Sequence, residues 1–181
     1  MTAAQRQLDE PKLTEDAIKE FLASHKSGIG RLMVGQFEIR TMQEAEKLAT
    51  MLANQYPDSD RVATGIWELL SNGIEHGNLE INFSEKVELI KNGTYIDELE
   101  RRLQMPEYAE RVVEVDFKRT KGAIRLSVCD DGPGFDYSRY FDPSYSPDGP
   151  NGRGIMIASK LSFDRVVYQG RGNIVDAIIN L

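Results

Sequence analysis

Glu68, Asn72 and His76 recur at steps of four residues in the run Glu68-Leu-Leu-Ser-Asn72-Gly-Ile-Glu-His76-Gly. On a helix that step advances little around the axis, so the three side chains form one polar stripe opposite the apolar positions Val62, Ile66, Leu69, Leu70 and Ile74. An amide oxygen such as that of Asn72 is a hard ligand suited to Mg²⁺. Glu68, one turn earlier, is placed to accept a proton from a nucleophile at a terminal phosphate. Solvated polar residues on an ordinary amphipathic helix would give the same stripe. A second run, Asp130-Asp-Gly132-Pro-Gly134, directly follows a strand-like segment. A carboxylate there can accept from the exocyclic amine of adenine, and the glycines let the backbone pass close to the base. Read alone, it is also an acidic turn. The third run, Asn151-Gly152-Arg153-Gly154-Ile155, opens a helix after a proline-rich stretch. Amides bared by glycine at a helix start suit phosphate oxygens, and Arg153 adds positive charge. An N-cap with flexible glycines would look alike.

The elements that must position these groups are legible from periodicity. Leu32 to Ile39 has strand-like spacing. Thr41 caps a helix over Met42 to Gln55 with Ala45, Leu48, Met51 and Leu52 on one face, closed by Pro57. The helix carrying the polar stripe starts at Ser59 or Asp60. From Asn82 to Pro106, two charged helical segments, Phe83 to Lys91 and Tyr95 to Leu103, flank Asn92-Gly93 and read as an insertion. Within it, Arg101 and Arg102 read as a solvated face or a partner surface. Strands follow over Val112 to Lys118 and Ala123 to Cys129, joined by the hairpin chemistry of Thr120-Lys121-Gly122. Asp136 to Asn151 has no usable period and reads as a long mobile loop of the lid kind. Its Tyr137, Tyr140 and Tyr145 either cover a ligand or close onto the core. A helix over Arg153 to Leu161 precedes strands at Phe163 to Tyr168 and Asn173 to Ile179, which flank the Gly170-Arg171-Gly172 turn. Ahead of all this, residues 11–26 have helix-forming composition, so 1–30 is expected as a helical extension and 31–181 as the main domain. The order of elements predicts an α/β (α+β) domain with helices layered on one face of a mixed sheet.

Composition narrows the function. With 22 Lys and Arg against 29 Asp and Glu the net charge is −7, which argues against a broad electrostatic grip on nucleic acid or an anionic membrane. No run is long and apolar enough to span a bilayer, and residues 1–30 lack a signal-peptide core, so a cytoplasmic protein is expected. Cys129 is the single cysteine, which excludes an internal disulfide and a cysteine-built zinc site. Its apolar run, Ile124 to Cys129, makes it a small buried side chain rather than a nucleophile.

In order and spacing, the three runs together resemble the GHKL-type ATPase superfamily of gyrase, the ninety-kilodalton heat-shock chaperones, the sensor histidine kinases and the MutL repair proteins. The resemblance covers Gly35 to Leu181. It places Glu68 and Asn72 in the N-box, with His76 in the same box, Asp130, Gly132 and Gly134 in the D-x-G-x-G box, and Gly152 and Gly154 in the second glycine box. It implies a Bergerat-type two-layer sandwich of helices on a mixed, mostly antiparallel sheet, with ATP and Mg²⁺ between the helices and the lid. Gyrase-, chaperone- and MutL-like members carry large added domains for which this chain has no room. His25 and His76, the only histidines, lack the setting of a phosphoacceptor. The nearest resemblance is then to the bacterial anti-sigma-factor serine/threonine kinases. In that family the residue matching Glu68 is the general base, the one matching Asn72 holds Mg²⁺, and an antagonist protein is phosphorylated. The insertion resembles that of variants accompanying response-regulator phosphatases. The resemblance also implies a protein partner, a sigma factor or its antagonist, and a homodimer. A nucleotide-dependent binding module without phosphotransfer remains the alternative.

Overall fold

The computed structural model describes residues 30–142 and 152–181. The helix expected over residues 11–26, His25, Tyr145 and most of the expected lid lie outside the described residues. Alternation of apolar and polar side chains builds a five-stranded sheet. Its strands are β1 (Val34–Ile39), β2 (Val113–Arg119), β3 (Ala123–Cys129), β4 (Arg165–Gln169) and β5 (Ile174–Asn180), in the order β1-β2-β3-β5-β4. Val113, Val115 and Phe117 of β2, Ile124, Leu126 and Val128 of β3, and Val175, Ala177 and Ile179 of β5 all point to one buried face. The intervening residues face the other way. There Gln36 donates to Asp116 at 2.8 Å, and Arg125 and Gln169 donate to Asp176 at 2.9 and 2.6 Å. This face carries its own polar network, as an antiparallel sheet permits.

Every pairing among the described residues is antiparallel, within the sandwich of helices on a mostly antiparallel sheet that the sequence predicted. The reason lies in the last hairpin. β3 and β4 run in the same direction, separated by a helix, but β5 returns between them and pairs with both.

The helical layer rests on the apolar face. Helix α1 (Met42–Ala53) starts at a capping box in which Thr41 and Glu44 satisfy each other's backbone amides. Helix α2 (Ser59–Asn72) is capped by Asp58 and buries Val62, Ile66, Leu69 and Leu70 against the sheet. It does not stop at Asn72. The backbone continues as one π-helical turn over Gly73–Asn78, the widened geometry often found where a helix meets a functional site. Helices α3 (Phe83–Asn92) and α4 (Tyr95–Leu103) occupy the segment that the sequence reading takes as an insertion, and Gly93 at φ 71° closes the first of them. Arg102 is not a solvated charge. It binds Glu98 at 2.7 Å, reaches Glu85 on α3, and donates to the carbonyl of Leu79 at 2.7 Å. The insertion is thereby fastened to the end of the π turn, while Arg101 stays on the exposed side paired with Glu98. Helix α5 (Arg153–Met156) continues as a second π-helical segment to Ser162. It packs on α2 at Gly65, where an added Cβ would fall 2.3 Å from Ser162 Cβ.

Candidate functional site

The polar side of α2, the ends of β3 and β4, α3 and the start of α5 enclose a cavity of about 850 Å³, a volume that suits a cofactor-sized ligand. Glu68, Asn72, His76, Asp130, Gly134, Gly152 and Gly154 all stand in its wall. Residues drawn from three separated runs of sequence therefore meet at one place.

The junction between the first and third runs is intimate. A Cβ on Gly154 would sit 2.3 Å from Glu68 Oε2 and 3.3 Å from Asn72 Nδ2, so only glycine lets the α5 backbone come this near the carboxylate and amide of α2. Gly152, at φ 76°, turns the chain into that approach. Burial raises the pKa of Glu68, with Glu75 adding to the rise and Lys86, Arg153 and His76 opposing it. Arg153 itself is exposed and outside the cavity wall, so its charge acts on the site from the rim.

The second run meets the π turn in the same manner. A Cβ on Gly132 would fall 2.3 Å from the carbonyl oxygen of Gly77, and one on Gly77 would fall 2.4 Å from Cγ of Asp130. Gly132 thus lies behind the wall, and its part is to let β3's exit press against the helix. Asp130 is fixed by its own loop. Its Oδ1 accepts from the Gly132 amide at 2.9 Å, its amide donates to the carbonyl of Asn173 at 3.0 Å, and its carbonyl accepts from Asn173 Nδ2 at 2.8 Å. No protein hydrogen bond to Oδ2 exists among the described residues, and this oxygen is left to accept from a ligand donor. Burial raises the Asp130 carboxyl to about 6, against the pull of the Gly132 amide and of Arg171. Gly134, at φ 78°, leads to Phe135, whose amide donates to the carbonyl of Arg171 at 2.9 Å and straps the loop to the β4–β5 turn.

Beside Asp130 the wall is aromatic. Phe135 meets Tyr168 edge-on with centroids 5.3 Å apart, Tyr137 stacks on Tyr168 at 5.5 Å, and Tyr140 lies 6.0 Å from Phe135. Of the two alternatives for the lid tyrosines, Tyr137 takes the second and closes onto the buried Tyr168 ring, while Tyr140 packs on Phe135 and lines the cavity. A short 3-10 turn, Ser138–Phe141, holds them, so the expected irregular stretch has structure at its start. An apolar, aromatic wall next to a carboxylate acceptor suits a flat base with an amino group.

His76 lines the cavity, but its Nδ1 is engaged by the carbonyl of Ile81 at 2.5 Å. That bond fixes the tautomer and ties the π turn to the segment entering α3. Cys129 is only partly buried, not fully as its apolar run suggested, because it is the last residue of β3. Burial and three nearby carboxylates push its thiol up, which argues against a nucleophile.

Several residues in the wall or buried behind it carry no motif. Glu75, 1% exposed, pairs with Lys86 of α3 at 2.5 Å. Phe83, Val87 and Ile90 of α3 line the cavity with Lys86. Their i, i+4 and i+7 spacing is the one signal in the sequence that the insertion has an apolar face to bury. Asn78 receives the Asp131 amide on Oδ1 at 2.8 Å. Among the described residues no cluster of three His, Cys, Asp or Glu side chains stands ready for a metal. A cation at Asn72 would take its remaining ligands from phosphate and water, as Mg²⁺ commonly does.

The model of the histidine kinase-like ATPase domain matches residues 38–179, from β1 to the last strand. The chain belongs to that family. No curated protein matches it. Histidine kinase-like ATPase domains bind ATP, usually with Mg²⁺, and the cavity here fits both, with a base-sized aromatic wall at one end and glycine-bared backbone beside an amide oxygen at the other. In this domain no described helix is long and apolar enough to cross a membrane.

Proposed function

We propose that this histidine kinase-like ATPase domain is an ATP- and Mg²⁺-dependent serine/threonine protein kinase. Like the anti-sigma-factor kinases, it would act in the cytoplasm on an antagonist protein and answer to a sigma factor or that antagonist as partner, as a homodimer. The observation that carries the reading is Glu68. Its carboxylate stands in the cavity wall one helical turn before Asn72, pressed against the Gly154 backbone, and burial raises its pKa. A domain that merely captured a protein when nucleotide bound has no use for a proton acceptor at that point.

The roles assigned in this reading are supported by the geometry. Asp130 accepts from the adenine amine through Oδ2, the Gly132 amide holds the carboxylate in place, and Gly134 lets the loop pass close to Arg171. Asn72 offers its amide oxygen to Mg²⁺. Gly152 and Gly154 expose backbone to the phosphates, with Arg153 adding charge from the rim and His76 bracing the helix end. When bound, ATP supplies the transferable phosphoryl group and Mg²⁺ neutralises charge on the phosphates. Glu68 Oε2 takes the proton of the serine or threonine hydroxyl, and a raised pKa makes it a better match for that transfer near neutral pH.

The test is transfer of labelled phosphate from ATP to a panel of candidate antagonist proteins. Glu68→Gln is expected to abolish transfer while ATP still binds. A Gln variant that transfers at the wild-type rate removes Glu68 as the base. A wild-type protein that labels nothing, yet captures a partner only when ATP is present, replaces the kinase with a nucleotide-dependent binding module.

A further inference from the structure

The insertion does more than extend the surface. Glu75 sits on the π turn almost fully buried, and a carboxylate so placed is strongly unfavourable without a partner. Lys86 Nζ lies 2.5 Å from Glu75 Oε2, and His76 Nε2 lies farther off at 3.9 Å. An ammonium has three donors, and Glu75 engages one of them. Lys86 lines the large cavity with Glu68 and Asn72, and with Glu68 it also lines a second cavity of about 370 Å³ bounded by Trp67 and Tyr95. Its side chain thus borders both, with the amine on Glu75 and 5.6 Å from the centre of the Tyr95 ring, two residues that line the second cavity.

Which end of the large cavity this is can be read from the charges. Among side-chain charges Lys86 acts most strongly on Glu68, and it is not among those acting on Asp130, where Arg171 and Arg111 are felt instead. Arg139, also in the wall, stacks on Tyr140 in the aromatic half. Arg153 is outside the wall. Among the described residues Lys86 is therefore the wall cation of the half that holds Glu68, Asn72 and Gly154.

We propose that Lys86, delivered by the insertion and held by Glu75, is the cation that meets the terminal phosphate of ATP and makes the domain distinguish ATP from ADP. The proposal rests on the ATP-binding reading above. A compact ammonium on a flexible stem suits this task, since it can keep one donor on Glu75 and turn another to a phosphate oxygen. Glu75 acts as a positioning residue, holding the amine beside the Glu68 half of the cavity.

Removing the lysine alone would strand the Glu75 carboxylate, so the decisive variant is Lys86→Met combined with Glu75→Gln, which deletes both charges and keeps both shapes. Calorimetric titration with ATP and ADP, each with Mg²⁺, is run on wild type, the double variant and Glu75→Gln alone, with thermal unfolding as the check on folding. Wild type is expected to favour ATP. In the double variant the preference should fall by about tenfold with ADP affinity unchanged, as expected for loss of one charge-assisted hydrogen bond. Glu75→Gln alone should keep the preference. A folded double variant that still favours ATP to the wild-type extent, or that loses ATP and ADP alike, overturns the proposal, as does a wild type that binds both equally. A wild type that binds neither nucleotide overturns the ATP reading itself, and this proposal with it.

Discussion

Replacing Asp130 by asparagine should make the ligand-free domain more stable while stripping it of ATP. Burial raises this carboxyl from 3.8 to about 6, and a shift of that size corresponds to about 3 kcal/mol of unfavourable free energy for the ionised form at neutral pH. Asp130 is only partly buried, and solvent screening brings a realistic figure to about 1.5 kcal/mol. A neutral isostere escapes that penalty, and in a domain of this size the gain corresponds to a rise of about 3–6 °C in unfolding midpoint. The pH dependence has a defined sign. Because the folded-state pKa lies above the unfolded one, the contribution of this group to stability is fully present below about pH 4 and is lost as pH rises through about 6. The asparagine variant should lack that slope. Its effect on ligand runs the other way. The Gly132 amide demands an oxygen from residue 130, so asparagine must keep Oδ1 there and turn its NH₂ into the cavity, donor against the donor amine of adenine. Loss of a charge-assisted bond, compounded by that mismatch, predicts a fall in ATP affinity of roughly a hundredfold. Thermal unfolding between pH 4 and 8 and calorimetric titration with ATP read the two effects separately. A variant with an unchanged or lowered midpoint at pH 7 and ATP affinity within about twofold of wild type would refute the reasoning.

Other perturbations follow from close contacts. Gly154→Ala drives a methyl into the Glu68 carboxylate. It should lower both ATP affinity and phosphotransfer by about tenfold or more while leaving the unfolding midpoint nearly unchanged, measured by titration and labelled-phosphate transfer. Phe117→Ala empties a fully buried position on β2, where the ring meets Tyr56 edge-on at 5.9 Å. It should destabilise the domain by about 3–5 kcal/mol in denaturant unfolding, with nucleotide affinity retained in the folded fraction. In the wild type, ATP affinity should fall as pH drops through about 6 because protonated Asp130 loses its acceptor charge, a dependence that titration at pH 5 and pH 7.5 would reveal.

The elements themselves were fixed by local chemistry that any reader of the chain can follow. Thr41 and Glu44 form a capping box, Asp58 caps α2, Gly93 ends α3, and alternation in Val113 to Arg119 and Ala123 to Cys129 defines two strands. Each depends on residues within a turn or two of one another, so the sequence alone was enough. The three motif runs were legible as well, but each alone also read as a solvated stripe, an acidic turn or an N-cap, and only their order together pointed to a nucleotide site.

What the chain could not disclose locally is where those runs meet. That β5 returns between β3 and β4 depends on long-range pairing, and it makes the sheet antiparallel throughout. That Gly154 lies on Glu68, and Gly132 on Gly77, is a contact across 86 and 55 residues of sequence. Glu75 shows the limit most plainly. In the sequence it is one more acidic residue near the helix's polar stripe. Only the tertiary structure, by burying its carboxylate behind an insertion helix and placing Lys86 against it, gives it a charge that must be matched and so brings the insertion into the site.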